Sequence, residues 1–79
     1  MVRVLMFGAL AEVAGWRERD IDAGSLGVLR AMLAAEDAGL GERLAGPGTC
    51  AILNAEMVRG DPVLSAADEV AFIPPVSGG

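Results

Sequence analysis

The feature that most constrains this chain is the lack of any covalent or metal support for a fold of only 79 residues. A domain of this size buries about 60% of the surface that its unfolded chain exposes, so it depends on disulfides, a structural metal or a dense apolar core. Cys50 is the sole cysteine and the chain has no histidine, which excludes an intrachain disulfide and a four-ligand zinc site. We therefore expect a single apolar core, and hydrophobic residues make up 53% of the chain.

The same composition removes most self-contained enzyme chemistry. Without histidine there is no Ser-His-Asp or Cys-His nucleophile, and because all six basic residues are arginine there is no lysine for Schiff-base or phosphate-loop chemistry. Eleven acidic residues give a net charge of −5, which disfavours nucleic acid and suits a basic protein partner. The surplus of apolar residues suggests a partner face in addition to the core.

No apolar run approaches the roughly 18 residues of a membrane-spanning helix. Glu12 and Arg17 interrupt the first apolar stretch, and the five residues from Val4 to Gly8 are fewer than the 7 to 15 or so of a signal peptide. One unpaired cysteine fits a reducing compartment. We therefore expect a soluble, cytoplasmic protein.

Two apolar strands are expected at the centre of the fold. Residues 2–7 are apolar at nearly every position, which predicts a strand that is buried on both faces or central to a sheet. Residues 69–73 predict another, ended by Pro74 and Pro75. Shorter strands are predicted at residues 18–21, 50–53 and 57–59, with a turn at residues 54–56 and Cys50 as a small core residue.

One main helix is predicted at residues 26–37. Ser25 is a plausible N-cap, and the apolar residues that share one helical face are Leu26, Leu29, Met32 and Leu33. A single helical turn is predicted at residues 10–14. Glycine and proline break up the following segment, where we expect Leu40 and Leu44 to attach a loop or short turn to the core.

This order predicts an α+β fold in which one amphipathic helix covers a mixed sheet of four to five strands. The first and last strands are expected side by side and parallel, because this arrangement buries the most apolar surface. Residues 1–73 would form the domain and residues 74–79 an extended, flexible C-terminal tail.

The tail is the most unusual segment of the sequence. Pro74 and Pro75 fix φ and remove two backbone donors, and six residues reach about 20 Å when extended. Gly78 and Gly79 have no Cβ, so they can enter a narrow cleft. A terminal glycine carboxyl is unhindered toward a nucleophile, although a frayed terminus is the more common meaning of such a tail.

Residues 68–79, D-E-V-A-F-I-P-P-V-S-G-G, are similar to the end of the ubiquitin-like β-grasp sulfur carriers of the MoaD/ThiS family. Within that family the chain most resembles the branch that provides the small subunit of molybdopterin synthase. The resemblance also covers residues 2–8, residues 10–15, Leu29-Arg30 and Asn54. It implies a β-grasp fold.

The resemblance further implies that the Gly79 carboxylate is adenylated by a MoeB-type, ubiquitin-activating-type enzyme that uses ATP. A sulfurtransferase then supplies persulfide sulfur and leaves a thiocarboxylate. A MoaE-type large subunit of molybdopterin synthase would receive this sulfur for the cyclic pyranopterin precursor, in molybdenum cofactor biosynthesis. On this view the carrier binds no cofactor or metal, and the catalytic residues belong to its partners.

The resemblance assigns the tail residues Pro74, Pro75, Val76, Ser77 and Gly78 to the partner's channel. It places Phe7 and Ile73 on an apolar surface patch beside the tail, whereas the pattern alone equally allows them to be ordinary core residues. Two alternatives for the function stay open. The chain could carry sulfur for another pathway (thiamine thiazole, cysteine or tRNA thiolation), or it could be a ubiquitin-like modifier or an interaction module with an inert tail.

Overall fold

The computed structural model describes residues 1–75, so the predictions for Val76, Ser77, Gly78 and Gly79 lie outside the described residues. The elements follow the order β1 (Val2–Met6), α1 (Ala9–Ala14), β2 (Glu18–Ile21), α2 (Leu26–Glu36), α3 (Ala38–Ala45), β3 (Cys50–Leu53), β4 (Glu56–Val58) and β5 (Glu69–Ile73). In this described part, no helix is both long and apolar enough to cross a bilayer.

The five strands form one mixed sheet in the order β2-β1-β5-β3-β4. β1 and β5 are parallel neighbours, with Val4 opposite Val70, and the other pairs are antiparallel. This arrangement confirms the predicted adjacency of the first and last apolar strands and the predicted α+β class.

β1 shows that one face of the sheet is the core face. Val2, Val4 and Met6 are buried, whereas Arg3 is exposed and Leu5 is half-buried. The strand therefore meets the second of the two predicted alternatives: it lies inside the sheet, between β2 and β5, but it is buried on one face only. The helices cover only one face, so side chains that alternate along the strand alternate between the core and the open face.

α2 is the main helix and lies where the sequence predicts it. The Ser25 hydroxyl accepts a hydrogen bond from the Val28 amide at 3.2 Å, which caps the helix. Leu26, Leu29 and Leu33 are fully buried against the sheet. The apolar stripe that these leucines form is the main contribution of the helix to the core.

α3 occupies the segment for which a loop or short turn was expected, so that prediction is wrong. The Asp37 carboxylate caps the helix by accepting a hydrogen bond from the Leu40 amide at 3.1 Å, and Leu40 and Leu44 are buried. A Cβ on Gly41 would lie 2.5 Å from the Ala34 Cβ. The glycine that suggested a break in fact permits α2 and α3 to approach closely.

The β3–β4 hairpin confirms the predicted turn at Asn54 and Ala55, which both have positive φ. β4 begins one residue earlier than expected, because a two-residue turn leaves Glu56 free to pair with Leu53. The Asn54 side chain donates to Asp68 and accepts from the Glu69 amide, both at 2.9 Å. Hydrogen bonds from the Ser65 amide and then from Asn54 lower the pKa of Asp68.

Candidate functional site

The parallel pairing of β1 and β5 brings Phe7 and Ile73 to the same edge of the sheet. The Phe7 amide donates to the Phe72 carbonyl at 3.1 Å, so the end of β1 is held against the end of β5. Phe7 is 47% exposed and Ile73 is 39% exposed. Neither side chain belongs to the core, although their assignment to a partner surface stays a prediction.

Three further large apolar side chains, together with Ala71, lie on the same uncovered face of the sheet. Across the strands, Leu5 is opposite Ala71, Ala71 is opposite Ile52, and Ile52 is opposite Met57. Met57 is exposed, and Leu5 and Ile52 are half-buried. We define the open apolar face by its five largest members, Leu5, Phe7, Ile52, Met57 and Ile73.

The open apolar face is bounded by charge at the end away from the tail. Arg3 and Glu18 form a salt bridge of 2.6 Å, and Arg3 lies opposite Asp20 on one side and Glu69 on the other. The large apolar side chains therefore occupy the middle of the sheet, where Leu5, Ile52 and Met57 lie, and the end where β5 leads into Pro74, where Phe7 and Ile73 lie. This distribution places a hydrophobic contact surface directly beside the base of the tail.

The sequence reasoning missed Leu5, Ile52 and Met57. Because side chains alternate between the two faces of a strand, the sequence could have assigned the residues of each strand to two sets. The residues of a single strand do not specify which set the helices cover. Cys50 lies in β3 as predicted, yet it is half-buried on the open side rather than in the core. Its Sγ lies 3.7 Å from the Gly48 carbonyl oxygen.

The base of the tail is described as far as Pro75. Pro74 is half-buried beside Gly8, which follows β1, and Pro75 lies beside Gly48, which precedes β3. The channel role predicted for these two prolines is not tested by this geometry. Within residues 1–75 there is no group of three or more side chains suited to hold a metal ion.

A mixed five-stranded sheet with its principal helix packed across one face defines a β-grasp, ubiquitin-like protein. Small archaeal modifier protein 1 from Methanosarcina acetivorans superposes with a TM-score of 0.86 at 22% identity, over 99% of this chain and 95% of that chain. At 22% identity this similarity shows a shared fold and nothing beyond it. The Haloferax volcanii protein of the same name superposes with a TM-score of 0.76 at 27% identity, over 99% of this chain and 98% of that chain.

The chain belongs to the ThiS family, whose profile matches residues 4–79. It is also 30% identical to a chain in the complex of subunits 1 and 2 of molybdopterin-converting factor from Helicobacter pylori 26695, with a TM-score of 0.73 over 99% of this chain and 97% of that one. No curated protein sequence matches it significantly. The chain is thus a member of the ThiS/MoaD-type family of ubiquitin-like sulfur carriers.

Proposed function

We propose that this protein is the sulfur-carrying small subunit of a molybdopterin synthase and that it carries the sulfur as a thiocarboxylate on Gly79. The observation that supports this role most is the 30% identity, across nearly the whole chain, to a chain in the Helicobacter pylori complex. The tail sequence P-P-V-S-G-G after β5 is consistent with it. The sulfur acceptor in this role is the cyclic pyranopterin precursor.

The chemistry explains why the carrier needs no catalytic side chain. A MoeB-type adenylyltransferase would transfer AMP from ATP to the Gly79 carboxylate and release pyrophosphate. The persulfide sulfur of a sulfurtransferase would then attack the carbonyl carbon and expel AMP, because an acyl phosphate has a far better leaving group than a carboxylate. Cleavage of the resulting S–S bond by a thiol leaves the thiocarboxylate, a soft anionic nucleophile.

We further propose that the open apolar face docks on a MoaE-type large subunit. Phe7 and Ile73 adjoin the base of the tail, so a partner that covers them would have its channel where Pro75 leaves the domain. Partially exposed aromatic and aliphatic side chains of this kind are typical of the centre of a protein interface. The surface would hold the carrier while the tail enters the active site.

Substitution of Phe7 by alanine is expected to weaken binding to the large subunit by about 10- to 100-fold, because it removes a central aromatic contact. Isothermal titration calorimetry with the purified large subunit would measure the change. Val63→Ala is the matched control. Val63 is also an exposed apolar residue, at 79%, but it pairs with Ser25 at the start of α2 and is not part of the open apolar face. Equal weakening by both variants would contradict the proposed docking face.

Intact mass spectrometry after co-expression with the activating enzyme and sulfurtransferase tests the carrier role. Replacement of one oxygen by sulfur at Gly79 is the expected result. The thiocarboxylated protein is then mixed with the large subunit and the pterin precursor, where we expect a dithiolene product. Sulfur on Gly79 without any dithiolene would overturn the assigned pathway, and an unchanged mass would overturn the carrier chemistry itself.

A ubiquitin-like modifier is the second candidate, favoured by the 27% identity to small archaeal modifier protein 1 from Haloferax volcanii. In this role the activated Gly79 carbonyl would react with a lysine amine of a target protein. The same mass experiment distinguishes the two roles, because a modifier would appear as an isopeptide adduct on another protein. The sequence itself contains no lysine, so it offers no side chain for a lysine-linked chain of copies.

A further inference from the structure

Two glycines with positive φ lie beside the base of the tail. Gly8 has φ +54 and follows β1, and Gly48 has φ +88 and precedes β3. These two turns lie far apart in the sequence, but β5 runs between β1 and β3 and ends beside both of them. The first two tail residues, Pro74 and Pro75, therefore leave the sheet between the two glycines.

Each proline occupies space that a side chain on its glycine would need. A Cβ on Gly8 would lie 3.2 Å from the Pro74 Cγ, and a Cβ on Gly48 would lie 2.7 Å from the Pro75 Cβ. Ordinary carbon contacts begin near 3.5 Å, so the second approach is a clash between two Cβ atoms that cannot rotate away. The absence of a Cβ is what permits the observed position of Pro75.

Two other glycines show that positive φ alone does not explain this arrangement. Gly15 has φ +84 and Gly60 has φ +75, yet a Cβ on either would meet nothing within 4 Å. At those positions glycine serves only the left-handed backbone. At Gly8 and Gly48 it serves the backbone and also makes room for a proline.

We propose that Gly8 and Gly48 are positioning residues that form a glycine seat for Pro74 and Pro75 and thereby fix the direction in which the tail leaves the domain. Proline has a fixed φ, so contacts that hold the two rings also restrict the direction in which the chain leaves Pro75. Residues 76–79 would span roughly 14 Å if extended. A tilt of about 10° at Pro75 would then move the Gly79 carboxyl by roughly 2 Å.

This inference depends on the proposed use of Gly79 as the reacting group. Misplacement of a reacting atom by about 1 Å can lower a rate by about 100-fold, and an ordered approach reduces the entropy that binding in a channel must overcome. The seat would thus raise the rate at which the tail reacts in the activating enzyme and in the large subunit.

The test compares Gly48→Ala with Gly60→Ala in the intact chain. Both variants place a Cβ on a residue with a similar positive φ, +88 at Gly48 and +75 at Gly60, but only Gly48→Ala meets Pro75. We expect Gly48→Ala to lower kcat/KM for thiocarboxylate formation by about tenfold relative to Gly60→Ala when the two have the same melting temperature. Equal kcat/KM values would overturn the proposal.

A double-variant cycle separates positioning from general damage. Pro75→Gly removes the seated ring, so we expect it to lower kcat/KM by itself and to leave Gly48→Ala with no further effect. Gly60→Ala should instead add its small effect in either background. Simple additivity between Gly48→Ala and Pro75→Gly would contradict a shared seat. If Gly48→Ala does not fold, Pro75→Gly decides by itself, because it removes the seated ring without adding a Cβ at positive φ. An unchanged kcat/KM in Pro75→Gly would then overturn the proposal.

Amide residual dipolar couplings of residues 76–79 provide a measurement that needs no partner enzyme. We expect these couplings to change in Gly48→Ala and to match the unsubstituted chain in Gly60→Ala. If the unsubstituted protein never forms a thiocarboxylate, the proposed function fails while the couplings still decide whether the seat exists. Couplings that are identical in all three proteins would overturn the seat.

Discussion

A chain that stops at Ser77 is expected to deliver no measurable sulfur, at least about 1,000-fold less than the full sequence. Loss of Gly78 and Gly79 moves the terminal carbonyl back by roughly 7 Å and places a side chain beside it. A partner site that fits an unhindered glycine carboxyl would then find no reacting atom within bonding distance. Thiocarboxylate formation, followed by intact mass spectrometry, is the measurement.

Gly79→Ala is the matched control for this truncation, because it keeps the length and adds only one methyl group. We expect Gly79→Ala to react more slowly than the full sequence but far faster than the truncated chain. The truncated chain should still bind the large subunit through Phe7 and its neighbours, since the open apolar face is untouched. Sulfur delivery by the truncated chain would refute the proposed function.

The largest expected effect on stability is at Leu29, which is fully buried in α2 against the sheet. Leu29→Ala removes most of a core side chain and leaves a cavity, at a cost of about 3 to 5 kcal/mol. A domain of this length has a total free energy of unfolding of about 4 to 12 kcal/mol. The substitution should therefore remove a large part of the stability, which urea denaturation followed by circular dichroism would measure.

Val28→Ala, one position earlier in the same helix, is the control for Leu29→Ala. Val28 is 49% exposed, so its truncation should change the free energy of unfolding by only about 0.5 kcal/mol. Alanine is a better helix former than either leucine or valine, so a loss of stability in either variant cannot come from helix propensity. A similar loss in the two proteins would show that the core does not lie between α2 and the sheet.

Much of the fold could be predicted because its signals are local. The strands at residues 18–21, 50–53 and 69–73 lie where the apolar and turn residues predicted them, and Ser25 begins α2 as expected. For these elements the deciding information lies within a few consecutive residues. The parallel pairing of β1 and β5 was predicted differently, by comparing two distant segments and placing the two most apolar strands side by side.

α3 shows where this approach failed. Glycine is a weak helix former, so Gly39 and Gly41 indicated a break. The cap at Asp37, the burial of Leu40 and Leu44, and the close approach of Gly41 to Ala34 outweigh that preference. The last two are tertiary contacts, which the propensity of a single segment does not contain.

The sequence by itself determined which reactive side chains are available and which strand, helix and tail patterns the family resemblance rests on, because residue types and their order are local properties. The tertiary structure alone decided which face of the sheet stays uncovered, so that Phe7, Ile73 and Met57 share a surface. It also decided that Pro75 lies on Gly48, since β5 ends between two turns that are distant in the chain. Such contacts depend on how the sheet pairs and where the helices pack, which no stretch of neighbouring residues specifies.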